Sequence, residues 1–152
     1  PSYDSQTGIF YMMFNDAQGF VASAPATYEK GKEYLGRGTG KAPPAPPAKQ
    51  GVQAIDSKTG KVLWQFITSR ASNSSGLIAT RGGVVFVCTP EGEFMGLDMK
   101  TGKALWHYRV GGSITSSPIS YAVGGQQFIA FTAGNMVYAF ALPDIATASA
   151  KK

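Results

Sequence analysis

The chain has 152 residues, a formal net charge of +5 and 43% hydrophobic residues, which is enough for one domain with a packed core. No stretch approaches the roughly 18 consecutive apolar residues of a membrane span, and the basic residues are scattered, so we predict no membrane span and no nucleic-acid binding. With 19 Gly, 9 Pro and no long helical pattern, the sequence predicts an all-β fold.

The first part of the chain predicts an incomplete sheet. Residues 1–8 read as a turn that leads into a strand, and because the chain begins at Pro1 we expect it to be part of a longer polypeptide. Three strands are predicted at 8–14, 52–56 and 62–68. The long loop insertion 17–50 contains an Ala/Pro run that favours polyproline conformation, and it is either a binding loop or an idle surface insertion.

The middle of the chain predicts one complete sheet of four short strands joined by turns. These strands are placed at 77–80, 84–88, 93–98 and 104–110. In the second of them, the period of two puts Phe86 and Cys88 on one face. Cys88 is the single cysteine, so no internal disulfide, haem-attachment motif or cysteine zinc cluster can form, and we expect a buried, inert thiol.

The last part predicts three strands without a fourth. They are placed at 117–121, 127–132 and 136–141. Residues 1–143 are therefore assigned to the folded domain and residues 144–152 to a frayed tail. Unpaired strand edges at both ends of this set predict that the isolated chain associates with itself.

One motif occurs twice and organises the chain. It reads Ala54-Ile-Asp-Ser-Lys-Thr-Gly-Lys-Val-Leu-Trp64 and then Gly96-Leu-Asp-Met-Lys-Thr-Gly-Lys-Ala-Leu-Trp106, with the tryptophans 42 residues apart (106 − 64). A fixed period of roughly 40 to 45 residues that ends in a strand tryptophan is typical of a β-propeller. The sequence therefore predicts a partial propeller of about two and a half four-stranded antiparallel blades.

The residues of this motif have structural roles. The Asp56 and Asp98 carboxylates are expected to accept hydrogen bonds from backbone N–H groups two or three residues on, and a glycine with positive φ closes each turn. Trp64 and Trp106 are expected to wedge between adjacent blades and donate their N–H to a backbone carbonyl. The alternative is that each tryptophan is an exposed stacking platform for a ligand. That role would not need the identical turn before the tryptophan in both copies, so packing between blades is favoured.

No catalytic or metal-binding set emerges from the residue pattern. His107 is the only histidine, it faces away from Trp106, and no carboxylate is expected near it. We predict a surface or satisfied polar histidine, and neither a catalytic triad nor a metal site.

The repeated sequence is the tryptophan-docking motif, and with it the chain resembles the pyrroloquinoline-quinone (PQQ) repeat propellers, specifically the C-terminal blades of quinoprotein alcohol dehydrogenases. Further segments carry this resemblance: Thr7-Gly-Ile-Phe-Tyr11, Gly76-Leu-Ile-Ala-Thr80, Pro118-Ile-Ser-Tyr121, Gly125-Gln-Gln-Phe128 and Ala139-Phe-Ala-Leu-Pro143. The resemblance implies a periplasmic, eight-bladed oxidoreductase with PQQ and a calcium or lanthanide ion, which oxidises an alcohol or sugar and passes electrons to a cytochrome c.

The same resemblance assigns the site residues. The aspartate base and the metal ligands would lie upstream of Pro1, so the chain alone is expected to be inactive and to bind no metal. Ser74 stands where the family commonly has a tryptophan near the quinone, and Ser74, Ser75, Gly134 and Asn135 are the candidate cofactor contacts. A plain hairpin turn is the alternative role of Gly134 and Asn135, and Ser74 motivates an alternative function: a cofactor-free propeller that binds proteins, like the outer-membrane assembly lipoprotein.

Overall fold

The computed structural model describes residues 1–17, 19–23, 27–34, 37–38, 43–44, 46–69 and 75–142. The predicted frayed tail at 144–152 lies outside these residues. The chain divides into two compact units, one formed by Pro1–Asn15 with Gln50–Lys152 and the other by Asp16–Lys49. No helix long and apolar enough to cross a bilayer occurs in the described part of the chain.

The described residues are strands and turns. The strands are β1 Ser2–Asp4, β2 Ile9–Asp16, β3 Ala22–Ser23, β4 Arg37–Gly38, β5 Lys49–Asp56, β6 Val62–Ile67, β7 Leu77–Ala79, β8 Val84–Cys88, β9 Glu93–Asp98, β10 Ala104–Arg109, β11 Ile119–Val123, β12 Gln126–Ala133 and β13 Met136–Ala141. The predicted all-β class is confirmed.

The larger unit contains three antiparallel sheets that follow one another along the chain. The first has the strand order β1-β2-β5-β6, the second β7-β8-β9-β10 and the third β11-β12-β13. The four strands predicted for the second sheet agree with the structure to within one residue at each end. The first sheet has one strand more than predicted, because Ser2–Asp4, within the segment interpreted as a turn, pairs with β2 in the register Ser2 to Tyr11.

The predicted strand 117–121 is displaced in the structure, where β11 covers Ile119–Val123. Pro118 has no N–H to donate to a ladder. The Ser116 hydroxyl instead accepts a hydrogen bond from the N–H of Thr132 and donates one to its carbonyl, at 3.0 and 3.1 Å. A side chain therefore replaces the backbone ladder at Ser116, and regular pairing starts at Ile119.

Two apolar cores lie between the sheets. The first is formed by β2, β5, β7, β8 and β9, and its fully buried members include Tyr11, Val52 and Leu97. The second lies between the second and third sheets. Cys88 and Phe86 both face this second core while Val85 and Val87 face the first, so the predicted alternation along β8 is confirmed.

The smaller unit, Asp16–Lys49, contains the two-stranded sheet of β3 and β4, with Ala22 opposite Gly38. Tyr28 and Tyr34 meet edge to face with ring centroids 6.0 Å apart, and both side chains are exposed. Its described residues thus form a small unit with exposed aromatic rings.

The connections of the three sheets fall into two groups. Because antiparallel strands alternate in direction, the turns 5–8, 57–61, 80–83, 99–103 and 124–125 lie at one end, which we call the Asp-turn end. The connections 89–92, 110–118 and 134–135, with the described residues 68–69 and 75–76, lie at the other end, which we call the loop end.

Candidate functional site

The two motif aspartates hold their own turns. Asp98 Oδ1 accepts hydrogen bonds from the N–H of Lys100 and from the N–H and hydroxyl of Thr101, at 3.1, 2.8 and 2.8 Å. Asp56 accepts the equivalent three bonds in the first sheet. The pKa of Asp98 is lowered below its ordinary value of 3.8, chiefly by the hydrogen bond from the Thr101 hydroxyl. The predicted structural role of both aspartates is confirmed.

A third copy of this turn was missed by the sequence reasoning. Residues 4–8 read Asp-Ser-Gln-Thr-Gly, and Asp4 accepts hydrogen bonds from the N–H of Gln6 at 3.1 Å and the hydroxyl of Thr7 at 2.6 Å. The signal was present, because Asp-x-x-Thr-Gly is the first half of the repeated motif. This copy differs from the other two because no tryptophan follows it, and its turn joins β1 to β2 instead of the third strand to the fourth.

Trp64 joins the first sheet to the second. Its Nε1 donates a hydrogen bond to the carbonyl of Met99 at 3.0 Å, and the indole lies against Gly102, where an added Cβ would approach Trp64 Cε3 to 2.5 Å. Tyr11 Oη donates to the same carbonyl at 3.3 Å. The predicted position of Trp64 between sheets and its bond to a backbone carbonyl are confirmed.

Trp106 joins the second sheet to the third by ring contacts. It meets Phe94 and Phe140 edge to face, both at 5.6 Å between centroids, and 42% of its surface is exposed. A cleft of about 490 Å³ lies beside it, with Leu105 and Leu142 in its lining. The predicted packing of Trp106 between two sheets is therefore observed. The predicted hydrogen bond from its N–H is not observed, because the described part of the chain contains no acceptor for it.

Two of the four predicted cofactor residues meet at the loop end. The Ser75 hydroxyl donates to the carbonyl of Ile114 at 2.9 Å, and the N–H of Gly134 donates to the adjacent carbonyl of Ser113 at 3.3 Å. Asn135 follows Gly134 in the exposed β12–β13 turn. Ser74 lies outside the described residues. The connection 110–118 therefore brings Ser75 and Gly134 to one place on the loop end.

These contacts test whether the described residues could hold PQQ by themselves. The hydroxyl of Ser75 and the N–H of Gly134 already donate to carbonyls of the chain, which leaves the exposed Asn135 amide as the free donor among the three described candidates. A cavity of about 540 Å³ and the cleft of about 490 Å³, both formed by described residues, are lined by residues other than these candidates. No group of three His, Cys, Asp or Glu residues that could hold a metal occurs in the described ranges. The described residues do not form a cofactor pocket alone.

His107 differs from expectation in one respect. Its side chain is exposed, as predicted, but a carboxylate is nearby: Glu93 Oε2 lies 3.4 Å from His107 Nδ1. Arg109 Nε approaches the other oxygen of Glu93 at 3.5 Å. The prediction of no neighbouring carboxylate was wrong, because antiparallel pairing puts β9 residues beside β10 residues that are distant in sequence.

Cys88 is fully buried, and burial raises the pKa of its thiol to about 12. The thiolate, which is the reactive form, is therefore scarce at neutral pH. The expected burial of the thiol is confirmed, and its inertness stays a prediction.

Comparison with known proteins gives matches of two kinds. The family profile described as outer membrane protein assembly factor BamB matches residues 48–148. Quinoprotein ethanol dehydrogenase of Pseudomonas putida is 34% identical over 93 residues, and quinoprotein alcohol dehydrogenase PedH of the same species is 32% identical over 91. These alignments cover 61% and 60% of this chain, which spans about 15% of the length of either relative.

Solved structures share the fold. A quinohemoprotein alcohol dehydrogenase from Pseudomonas putida HK5 superposes with a TM-score of 0.72 at 22% identity, over 89% of this chain and 21% of that one. A europium-containing methanol dehydrogenase superposes with a TM-score of 0.69 at 28% identity, over 87% and 23%. The three sheets are therefore consecutive blades of a β-propeller.

Proposed function

Because the chain belongs to the PQQ-repeat β-propeller family, we propose that its three sheets are blades of a PQQ-dependent alcohol dehydrogenase. The observation that carries this proposal is the 34% identity to a quinoprotein ethanol dehydrogenase over 93 residues. The 28% identity to a metal-containing methanol dehydrogenase supports it independently. The substrate is then an alcohol, with a sugar as the broader alternative.

The number of blades supports a larger parent protein. A closed propeller needs at least about four blades, whereas the described residues supply two four-stranded sheets and one three-stranded sheet. We propose that the remaining blades of an eight-bladed, periplasmic propeller lie in other parts of a longer polypeptide, as the relatives' greater length suggests. The chain alone is then inactive.

The proposed chemistry belongs to groups outside the described residues. In a quinoprotein, the bound PQQ would supply the two-electron acceptor for the alcohol, its calcium or lanthanide ion would polarise the quinone as a Lewis acid, and a cytochrome c would take the electrons. Since no metal-binding group occurs in the described ranges, the base and the metal ligands would come from other blades. We propose that Ser74, Ser75, Gly134 and Asn135 border the cofactor, with the amide of Asn135 as the donor still free to meet it.

Expression of the complete coding sequence that contains this chain tests the proposal. The purified protein, loaded with PQQ and either calcium or a lanthanide, is expected to reduce a dye in the presence of ethanol. The 152-residue chain treated in the same way is the control and is expected to be inactive. A coding sequence without an aspartate base and Glu/Asn metal ligands in its other blades would contradict the proposal.

A second function is favoured by a separate observation. The matching family profile is described as an assembly factor, and the hydroxyl of Ser75 and the N–H of Gly134 already donate within the chain, as in a propeller that holds no cofactor. This alternative is a cofactor-free scaffold that binds proteins. Titration of the complete protein with PQQ and calcium separates the two functions, because saturable binding with alcohol-dependent dye reduction excludes the scaffold.

A further inference from the structure

A cavity of about 540 Å³ opens between the first and second sheets at the Asp-turn end. Three turns contribute to its lining: Gln6 comes from the β1–β2 turn, Arg81 from the β7–β8 turn and Lys100 from the β9–β10 turn. Ile9 and Leu105 add apolar surface. Its volume lies in the range of small-molecule sites, about 300 to 1,000 Å³.

The carboxylates of this cavity are already hydrogen-bonded. Asp4 uses both oxygens to accept bonds from the N–H of Gln6 and the hydroxyl of Thr7. Asp98 accepts three bonds from its own turn on Oδ1. These bonds fix both carboxylates within their turns, and donors of the turns offset part of their charge.

The cations of the cavity form no such hydrogen bonds, and they act on its carboxylates only through longer-range attraction, Arg81 on Asp4 and Lys100 on Asp98. Arg81 and Lys100 are exposed, and neither has a carboxylate oxygen within 4.0 Å of its nitrogens in the described part of the chain. A guanidinium offers paired N–H donors that match carboxylate and phosphate groups, and an ammonium offers three more. The cavity thus combines two cations that form no ion pair in the described part of the chain with carboxylates that accept bonds from their own turns, on both oxygens of Asp4 and on one oxygen of Asp98.

We propose that this cavity binds a small organic anion with two or more carboxylate or phosphate groups. Arg81 and Lys100 would each bind one anionic group, while Ile9 and Leu105 contact the carbon skeleton. The site lies at the end of the sheets opposite Ser75 and Gly134, so it is independent of the proposed quinoprotein function.

Titration of the 152-residue chain with citrate and with inorganic phosphate, at ionic strength held constant with NaCl, tests the proposal by calorimetry. The double variant R81Q/K100Q removes both cations of the cavity. The variant K61Q/K103Q is the matched control, because it removes the same charge from the same Asp-turn end but from residues outside the lining. Near-ultraviolet circular dichroism checks that both variants keep the packing of Trp64.

Saturable one-to-one citrate binding is expected, with the Kd at least tenfold weaker in R81Q/K100Q and changed less than twofold in K61Q/K103Q. Tighter binding of phosphate than of citrate would assign the site to phosphate groups, and the reverse order to carboxylates. Equal weakening in both variants would mean attraction by net charge alone and would overturn the proposal. The absence of saturation by 10 mM of either anion would also overturn the proposal.

Discussion

The indole N–H of Trp64 donates to the main-chain carbonyl of Met99, 3.0 Å away in the following sheet. Trp64 ends the first copy of the repeated motif and Met99 lies in the turn of the second copy, so the end of one copy contacts the turn of the next. In this way a sequence repeat becomes a contact between neighbouring blades. The turn of the second sheet therefore lies at the position that the preceding tryptophan reaches.

Replacing Gly102 by alanine is expected to destabilise the chain far more than the same change at Gly60. The two glycines have nearly equal φ values, +71° and +70°, so the backbone strain of roughly 1–2 kcal/mol is shared. Only at Gly102 would the new Cβ collide with Trp64, while Gly60 has no neighbour within 4 Å. Urea unfolding should show G102A losing about 2 kcal/mol more than G60A. Equal losses would mean that the indole moves away without cost.

Replacing Trp64 by phenylalanine should cost more than the same change at Trp106. Trp64 is half-buried and its N–H is hydrogen-bonded, so roughly 2–3 kcal/mol of stability should be lost. Trp106 is more exposed and has no N–H acceptor in the described ranges, so about 1 kcal/mol is expected. Urea midpoints of the two variants measure the difference. A larger loss at Trp106 would reveal a partner for it among the residues outside the described part.

Acid should remove part of the stability that the aspartate turns provide. The folded pKa of Asp98 lies below its ordinary value of 3.8, so its contribution is present above about pH 4 and is lost as the pH falls through the folded pKa. The variant D98N is therefore expected to be less stable than the native chain at pH 7, with the difference shrinking towards pH 2. D56N, in the equivalent turn, should behave in the same way. Urea unfolding across this pH range checks it, and a constant difference would be inconsistent with the lowered pKa.

Cys88 should be unreactive in the folded chain. With a thiol pKa of about 12, the thiolate fraction at pH 8 is on the order of one in ten thousand, and the sulfur is fully buried. Ellman's reagent at pH 8 should therefore label less than about a tenth of the native chain in an hour and all of it in guanidinium chloride. Rapid labelling under native conditions would show that the second core opens readily.

The outer edge of β13 should cause the isolated chain to associate with itself. No fourth strand covers it in the described ranges, and Val137 is 75% exposed there. Light scattering of the 152-residue chain should show concentration-dependent oligomers, and V137K should reduce them because a charge on an edge strand opposes pairing. V62K, on the edge of the complete first sheet, is the matched control and should leave them unchanged. A stable monomer at high concentration would contradict the prediction.

Much of the fold could be predicted because its signals are local. The strands of the second sheet follow from turn residues and β-branched runs, and the alternation of Phe86 and Cys88 follows from the period of two. The strands predicted at 117–121 and 52–56 differ from the structure, where they cover Ile119–Val123 and Lys49–Asp56. The first difference has a cause that no local pattern shows, since Ser116 bonds to Thr132 sixteen residues later. The carboxylate beside His107 was missed for the same kind of reason, because strand pairing brings Glu93 to it.

The candidate site could be predicted only in part. Ser75 and Gly134 were selected by resemblance, and the structure adds that their donors are bound to Ile114 and Ser113. No local pattern could have shown this, because the acceptors lie in the connection 110–118, which reaches both residues only when the sheets are packed. Their roles as cofactor contacts stay predictions.

The sequence by itself determined the repeat, the aspartate turns and the all-β class, because each depends on residues a few positions apart and on hydrogen bonds within one turn. Only the tertiary structure decided which groups of different sheets meet: Trp64 with Met99, and Gln6 with Arg81 and Lys100 around one cavity. The reason is physical, since the angle and distance between packed sheets depend on the shapes of all the buried side chains together. No single segment of the chain contains that information.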